Sequence, residues 1–531
     1  MTGAFLVSIL AALVALALLA KKLRLPYPVV FVLGGLVLAI IPGVPTIELQ
    51  PDLVFLLFLP ALIFGDGWTT DYPSFKRYAQ PIFMLAIGLV AFTSLAVAFV
   101  AHWMMGFPLA LGFVLGAILS PTDAVATDAI AEEVGLPRQV LSIISGESLV
   151  NDASGLVIYR FAVAAVLTGA FSLLSAALTF VYVAVGGVAV GLAIAWAIAR
   201  ITLAIRSSGL SDSLIAVSIS LVTPFALYVP AEAIHASGVL AAMSGGIYLS
   251  RKSAQIFDAE GRVAAAYVWN LLFFVFNGAA FVLIGLQLRT IVHGLGERSL
   301  LTVIGWSLAI ALVVVLVRYA WLFPATYGRR RLFPKIRERE GPDPPWRWVF
   351  VVATAGMRGI VSLAAALALP ETIAPGVRFP ERDLILFVTF VVILVTLVGE
   401  GLALPWLIRR WNLHDTEDGG RVVAAARARL ADAVREHLRA LEPAFESTLE
   451  WEIAGRLHAD YEQRSAHYAA HADGLAPADD AVRHEVERRM RREVYAAERR
   501  TLHEMRRTGQ VADDVYRELE WDVDVAESQL E

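Results

Sequence analysis

The sequence has no cysteine and little charge. The absence of cysteine from the 531 residues excludes disulfide bonds, thiol catalysis and cysteine-ligated zinc or iron–sulfur sites. Charged residues make up only 18% of the chain, whereas soluble proteins average about 25%. Hydrophobic residues reach 57%, and the mean hydropathy is +0.64. This balance excludes an ordinary soluble protein for most of the chain and favours a membrane protein.

The charges divide the chain into two parts. Residues 1–411 hold 27 Lys and Arg against 22 Asp and Glu, a net charge of +5, and residues 412–531 hold 17 against 27, a net charge of −10. We therefore predict a polytopic membrane domain over 1–411 and a soluble, acidic, helical tail over 412–531.

The tail alternates charged and apolar residues at helical spacing. Its predicted helices lie near 419–442, 444–472, 479–508 and 511–530. No catalytic pattern occurs in the tail, so we interpret it as a regulatory or assembly element. Seven of the ten histidines lie there, and pH sensing is the alternative hypothesis, because histidine titrates near neutrality.

Thirteen apolar segments approach the length of about 20 residues that a spanning helix needs. They are too long and too uniformly apolar for barrel strands, so the predicted fold class is all-α. The first segment precedes the basic run KKLR, which favours a retained span over a cleaved signal peptide. The predicted spans are 3–20, 27–41, 52–68, 79–104, 108–131, 140–169, 172–204, 211–229, 233–250, 262–288, 299–326, 346–369 and 382–411.

The connections between these segments differ in charge. One alternating set holds 20 basic residues and the other holds 4. Because basic residues stay on the cytoplasmic side, we predict an outside N-terminus and a cytoplasmic C-terminal tail. The abundance of Ala and Arg favours a bacterial source, and the predicted location is the inner membrane.

Ionisable side chains inside spans are costly unless they are paired or face water, so those present are hypotheses about function. Arg160 and Glu400 lie nearer span ends, and we interpret them as structural. The more informative in-span charges are Asp66, Asp123, Asp128, Glu147, Asp152, Arg318 and Arg358.

The fifth span contains a proline at its middle. Pro121 disfavours helix at Ser120, so we predict an interruption near residues 120–123 with Asp123 beside it. Backbone groups freed by a break are tolerated in a membrane where they face a wet cavity or a protein partner. A carboxylate there is placed to bind a cation. A proline kink with Asp123 satisfied locally is the alternative.

The sixth span opens with SGESLVNDASGLV at 145–157. Glu147 and Asn151 share one helix face, and Ser148 and Asp152 share another, because each pair is four residues apart. Carboxylate, hydroxyl and amide oxygens of this kind suit hard cations.

The twelfth span has its own weak point. Arg358 lies between Gly356 and Gly359, which predicts a second interrupted helix, seven spans after the first. Two broken helices in corresponding positions are typical of inverted repeats that cross at the membrane midplane. The arginine is placed to neutralise helix carbonyl ends, and a structural ion pair is the alternative.

Four further polar positions carry open alternatives. Arg318 in the eleventh span needs an acidic partner, because it stays charged, and Glu147 is the first candidate. The alternative is that Glu147 pairs with Arg358. Asp66 is either an ion ligand or a helix-end cap. Asn277 and Gln287 either line a cavity or make interhelical hydrogen bonds, the commoner role.

Three motifs together resemble the NhaP-type sodium/proton antiporters of the first family of monovalent cation:proton antiporters. They are SPTDAVA at 120–126, GESLVNDASGLV at 146–157 and AGMRGIVSL at 355–363. The resemblance implies a homodimer with an elevator-like core. The core helices would lie about 79–169 and 299–411, the dimerisation helices about 3–68 and 211–288, and the linker helix at 172–204.

The resemblance also implies residue roles. Asp152 matches the aspartate that binds the cation and the proton, and Asp123, Thr122 and Ser148 match its fellow Na⁺ ligands. Asn151 matches the asparagine of electroneutral members, and Glu147 matches the glutamate that pairs with a core arginine. Two positions depart from the family: the acid of the third span falls at Asp66 and not at Gly65, and Glu400 stands where glutamine is common.

We therefore expect a secondary transporter, not an enzyme, that exchanges Na⁺ for H⁺ electroneutrally by alternating access. It would serve pH and sodium homeostasis. Its expected partners are the two ions, membrane lipid and a second copy of the chain, with no cofactor and no nucleic acid. Exchange of K⁺ or Li⁺ is an alternative, and a membrane sensor with the tail as its output is a remote one. A membrane enzyme is disfavoured because the membrane histidines, His102, His235 and His293, all lie near span ends.

Overall fold

The structure is a computed structural model of the chain. It describes residues 3–42, 54–123, 127, 135–169, 173–210, 212–296, 298–332, 343–374, 377–413, 418–474, 478–508 and 510–528. The chain divides into two compact units, Met1–His414 and Asp415–Glu531.

The first unit is built from apolar helices. In chain order they are α1 (Gly3–Leu23), α2 (Tyr27–Ile40), α3 (Leu59–Thr69), α4 (Tyr72–Arg77), α5 (Ala79–Met105), α6 (Leu109–Leu119), α7 (Arg138–Thr168), α8 (Leu173–Ser207), α9 (Ser213–Ala233), α10 (Gly238–Ile256), α11 (Ala259–Leu286), α12 (Leu288–Gly294), α13 (Leu300–Phe323), α14 (Trp346–Thr354), α15 (Ile360–Leu367) and α16 (Arg382–Trp411). Single π-helical turns precede α3, lie within α5 and follow α13. A short antiparallel hairpin of β1 (Thr372–Ala374) and β2 (Val377–Arg378) precedes α16.

Within the described ranges, seven helices are long and apolar enough to cross a membrane. They are Ala79–Met105, Arg138–Thr168, Leu174–Ser207, Ser213–Ala233, Ala259–Gly294, Leu300–Leu332 and Arg382–Trp411. Each of the thirteen predicted segments overlaps at least one helix, and the all-α membrane fold is confirmed. The number of segments that cross the bilayer stays a prediction.

Both predicted helix interruptions are present. The helix α6 ends at Leu119, and residues 120–123 are not helical. Between α14 and α15, residues 355–359 are likewise extended or irregular. The second half of the fifth predicted span, with Asp128, lies outside the described residues.

Two sets of helices each pack chiefly within themselves. One set comprises α2, α3, α8, α9, α10 and α11, and the other comprises α5, α6, α7, α13, α14, α15 and α16. The pair α5 and α6 approaches closely at Gly112 and Gly116, where an added Cβ would lie 2.7 Å from Ala98 O and from Ser94 Cα respectively. Small residues four apart allow this approach, because membrane helices associate by close packing rather than by hydrophobic burial.

The second unit has four helices close to the predicted tail segments. They are α17 (Asp418–Leu441), α18 (Thr448–Ala472), α19 (Ala478–Arg507) and α20 (Asp513–Ser528). Helices α17 and α18 pack together, as do α19 and α20. A short 3₁₀ turn that contains Pro443 separates α17 from α18, and a capping box formed by Ser447 and Glu450 begins α18. Arg499 joins α19 to α20 through carboxylates of Asp524 and Glu527 at 2.6 and 2.7 Å.

Candidate functional site

The polar face of α7 meets the break that follows α6. Ser148 Oγ donates to the Thr122 carbonyl at 2.7 Å, and Asn151 Nδ2 donates to Thr122 Oγ1 at 2.7 Å. The break exposes these Thr122 groups because Pro121 prevents the helix from continuing. All three residues are buried, as is Asp152 on the next position of α7. The two motifs predicted to cooperate are therefore in direct contact.

The two helix breaks meet each other. The Asp123 N–H donates to the Met357 carbonyl at 2.7 Å, so each break satisfies a backbone group that the other frees. Gly359 lies against Asp123, and a Cβ at residue 359 would come within 2.8 Å of Asp123 Cβ. Only glycine leaves room for this approach.

A small acidic cavity lies at the crossing. Its volume is about 40 Å³, which is room for a few water molecules or one nearly dehydrated ion, since one water needs at least about 10–15 Å³. Three carboxylates line it, and the remaining lining residues are apolar, glycine or neutral polar. The polar lining residues are Asp66, Thr122, Asp123, Ser148, Asp152, Asn277 and Ser362.

Oxygen atoms of different kinds surround the cavity. Asp152 is 9% exposed and Ser148 is 6% exposed, whereas Asp66 and Asp123 are half-buried. Ser362 Oγ is buried and makes no hydrogen bond within the part of the chain that the structure describes. Within those same ranges, no three histidine or acidic side chains converge closely enough to hold a metal ion by themselves. A cation here would therefore combine carboxylate oxygens with hydroxyl, backbone or water oxygens.

A buried ion pair lies behind the cavity. Both terminal nitrogens of the Arg318 guanidinium, Nη1 and Nη2, donate to the Glu147 carboxylate, with Nη2 to Oε2 at 2.7 Å, and both side chains are almost fully buried. Arg318 also donates to the carbonyls of Val352 at 3.0 and 3.2 Å and of Ala355 at 3.3 Å. The first candidate partner of Arg318 is confirmed, and the pair joins α7, α13 and the end of α14.

Arg358 contacts helix-end carbonyls rather than Glu147. Its Nε donates to the carbonyl of Leu119, the last residue of α6, at 3.0 Å, and its Nη1 donates to the Gly356 carbonyl. The C-terminal end of a helix carries partial negative charge, which a buried guanidinium neutralises. The expectation that this arginine serves a carbonyl end is met, and the alternative pairing with Glu147 is wrong.

Glu400, interpreted as structural because it lies nearer a span end, is buried and not at an interface. Its side chain is 7% exposed and lies at the break after α14. Glu400 Oε2 accepts from the Gly356 N–H at 3.1 Å. Thr396, one turn earlier, accepts from the Arg358 N–H at 3.2 Å through its Oγ1.

Other predicted positions divide between the cavity and its surroundings. Asn277 lines the cavity, whereas Gln287 is buried elsewhere. Arg160 pairs with Glu232 at 2.8 Å with partly exposed side chains, which agrees with a structural role. Sequence reasoning did not single out Ser362, although it lies within the third motif.

The comparisons with known proteins agree with this arrangement. The family model described as sodium/hydrogen exchanger, transmembrane, matches residues 8–410. A Bacillus pumilus protein named sodium, potassium, lithium and rubidium/H⁺ antiporter is 35% identical over 81% of this chain and 66% of its own length. The Bacillus subtilis protein of the same name is 36% identical over 72% of this chain and 58% of its own. The chain thus spans less than two thirds of the length of these two relatives.

Other relatives match along almost the whole chain. An uncharacterised Na⁺/H⁺ exchanger of Mycobacterium tuberculosis is 33% identical over 99% of this chain and 95% of its own length. Among solved structures, the sodium proton antiporter MjNhaP1 of Methanocaldococcus jannaschii at pH 8 has a TM-score of 0.56 at 21% identity. That match covers 76% of this chain and 98% of the archaeal one, which shows a shared fold. The chain belongs to the sodium/hydrogen exchanger family and has the fold of the NhaP-type antiporters.

Proposed function

We propose that this chain exchanges Na⁺ for H⁺ across a membrane at the cavity where the two helix breaks cross. The observation that carries the proposal is that Asp66, Asp123 and Asp152 all line one cavity of about 40 Å³ inside an apolar helical unit. Charges in such surroundings are retained where they face an ion pathway.

Asp152 is the proposed carrier. It is the most buried of the three carboxylates, so its negative charge is costly unless a cation or a proton neutralises it. The two therefore compete for one site, and the site crosses the membrane only when one of them is bound. Thr122, Ser148 and Asp123 supply the further Na⁺ ligands, and Asp66 is a further carboxylate in the cavity lining.

The exchange is proposed to be one-for-one and electroneutral. The residue beside the carrier is Asn151, whose amide nitrogen donates to Thr122 Oγ1 and whose side chain carries no charge in any state. One carboxylate then alternates between one Na⁺ and one H⁺, and the loaded site has the same charge in both directions.

The movement is proposed to be of the elevator type in a homodimer. The two helix sets support this proposal, since the set that contains both breaks packs chiefly within itself. The core would comprise about 79–169 and 299–411, the dimerisation helices about 3–68 and 211–288, and the linker the helix α8. The distribution of basic residues supports a cytoplasmic tail at a bacterial inner membrane.

The cation range is proposed to include Na⁺ first and K⁺ or Li⁺ second. The names of the two Bacillus relatives support a broad range of monovalent cations. A mixed oxygen shell with hydroxyl and backbone ligands adapts to ions of different radius more readily than a rigid carboxylate cage.

The test is proton movement in proteoliposomes, followed with a pH-sensitive dye while Na⁺, Li⁺, K⁺ or choline is added. Wild type is measured beside Asp152→Asn, with Glu232→Gln as a matched control that removes a carboxylate outside the cavity. We expect cation-driven proton movement in wild type and control and none in Asp152→Asn. Exchange that persists in Asp152→Asn would refute the carrier assignment, and a response to imposed voltage would refute electroneutrality.

A further inference from the structure

Glu400 is a buried acid that the exchange cycle leaves unused. It lies on α16 and reaches the break between α14 and α15, where Oε2 accepts from the Gly356 N–H at 3.1 Å. Its second oxygen, Oε1, is buried without a hydrogen-bond partner within the described ranges. A buried carboxylate costs more free energy than a buried neutral amide, and a glutamine here would accept the same N–H. The hydrogen bond alone therefore does not account for an acid at this position.

The backbone groups freed by this break are shared between four side chains. Arg318 donates to the carbonyls of residues 352 and 355, and Arg358 donates to the carbonyl of residue 356. Thr396 and Glu400 take the N–H groups of residues 358 and 356. Arg318 and Glu400 therefore contact the carbonyl and the N–H of one peptide group, between Ala355 and Gly356, and Arg358 contacts the carbonyl of the next.

The charges around this segment balance only when Glu400 is ionised. Arg318 is matched by Glu147, with which it forms a direct ion pair. Arg358 forms no ion pair within the described part of the chain and contacts neutral carbonyls instead. Glu400 accepts from the N–H of Gly356, and Arg358 donates to the carbonyl of the same residue. With Glu400 ionised, the two arginines and the two glutamates carry a net charge of zero.

This balance bears on the cation cavity because the break is attached to it. Met357 follows Gly356 directly and accepts the Asp123 N–H at 2.7 Å. An unbalanced positive charge at Arg358 would therefore act on the carboxylates of the cavity across a few peptide units of low-dielectric protein. It would weaken the binding of any monovalent cation there, Na⁺ and H⁺ alike.

We infer that Glu400 is a positioning residue that offsets the charge of Arg358 and so sets the affinity of the Asp123 and Asp152 cavity for cations. The inference rests on the proposed exchange function. It assigns to Glu400 no role in carrying ions. The ionisable groups around it are Arg358 on the break, Arg318 and Tyr319 on α13, and Glu147 on α7.

The inference has a specific kinetic signature. One added positive charge about 10 Å away at an effective dielectric of about 20 weakens binding roughly tenfold for Na⁺ and for H⁺ equally. At high pH the carrier is free of protons, so KM for Na⁺ rises about tenfold. At low pH protons occupy the carrier, and the weaker Na⁺ binding is offset by weaker proton competition. The KM difference then disappears, while kcat stays near the wild-type value.

The experiment measures Na⁺-driven exchange in proteoliposomes at about pH 9 and pH 6 for wild type, Glu400→Gln, Glu400→Asp and Glu232→Gln. Glu400→Gln keeps an acceptor for the Gly356 N–H but removes the charge, whereas Glu400→Asp keeps the charge. Glu232→Gln is the matched control, because it removes one acid from a partly exposed ion pair outside the cavity. Detergent-purified samples heated with and without Na⁺ report binding independently of transport.

We expect Glu400→Gln to raise KM about tenfold at high pH only and to weaken stabilisation by Na⁺, with Glu400→Asp and the control close to wild type. An unchanged KM at high pH, an equal rise at both pH values, or loss of kcat at unchanged KM would overturn the inference. If Glu400→Gln does not fold, Glu400→Asp decides: a KM within about threefold of wild type supports the inference, and a larger rise contradicts it. Wild type without exchange would instead refute the proposed function.

Discussion

Replacing Arg318 with Met should destabilise the membrane unit more than any change at its surface. The substitution leaves Glu147 as an unpaired buried charge, which costs about 3–5 kcal/mol. It also removes donors from the Val352 and Ala355 carbonyls, at about 1–3 kcal/mol for each buried acceptor left unsatisfied. The expected loss is therefore about 5–11 kcal/mol. For a unit of some 400 residues this corresponds to a fall in Tm of roughly 6–13 °C.

A double-mutant cycle separates the ion pair from the carbonyl bonds. Glu147→Leu leaves Arg318 as an unpaired buried charge but keeps its carbonyl contacts, so it should cost about 3–5 kcal/mol. The double variant Arg318→Met with Glu147→Leu removes both charges and leaves only the unsatisfied carbonyls. It should melt above Arg318→Met alone, because replacing a buried pair by apolar side chains is often close to neutral.

The assay is the loss of monodisperse protein on heating in one detergent at one scan rate, since unfolding of such proteins is commonly irreversible. The control is the exposed pair Arg160 and Glu232, where single substitutions should change stability by at most about 1 kcal/mol. Additive losses in the double variant, or a Tm for Arg318→Met within about 2 °C of wild type, would show that the pair does not hold these helices together.

Two further substitutions test other contacts. Gly359→Ala should lower exchange at least about tenfold without unfolding the protein, because its Cβ would push Asp123 away from the crossing, and Gly305→Ala, which has open space around it, should leave exchange unchanged. In the tail, Ser447→Ala should speed amide exchange in the first turn of α18 about fivefold, the effect of losing an N-cap worth about 1 kcal/mol. The Glu450 carboxylate accepts backbone N–H groups, first that of Ser447, which holds its pKa below the ordinary range. Its contribution to the cap is therefore complete above that range and is lost as the pH falls through the lowered pKa, so the Glu446 and Ser447 amides, which donate to this carboxylate, should lose protection on acidification.

The sequence predicted the features of the site that depend on local chemistry. Pro121 ends α6 because it cannot donate a backbone hydrogen bond, and this effect needs no knowledge of the tertiary structure. The glycines on either side of Met357 and Arg358 weaken a helix for a similarly local reason. The pairing of Arg318 with Glu147 could be predicted because few acidic side chains lie inside the spans and a buried arginine needs one of them.

The role of Ser362 depends on where the break ends. Buried serines within long helices bond to the carbonyl four residues earlier, as Ser94 and Ser154 do here. For Ser362 that carbonyl belongs to Arg358, in the irregular segment, and the hydroxyl faces the cavity instead. A serine in the first turn after a predicted break is therefore a candidate ligand, and this rule would have found Ser362 from the motif alone.

Glu400 could not be placed by such a rule. Its distance from the end of the thirteenth predicted span suggested an interface, but the relevant neighbour, Gly356, is 44 residues away in the chain and is reached only because α16 packs against the break. The role of a charged residue such as Glu400 cannot be predicted from its own span alone. An acid in one span is interpretable only with the net charge of the whole cluster, which here includes residues from α7, α13 and the break. Counting that cluster is what supports the inference that Glu400 balances the charge of Arg358 beside the proposed cation site.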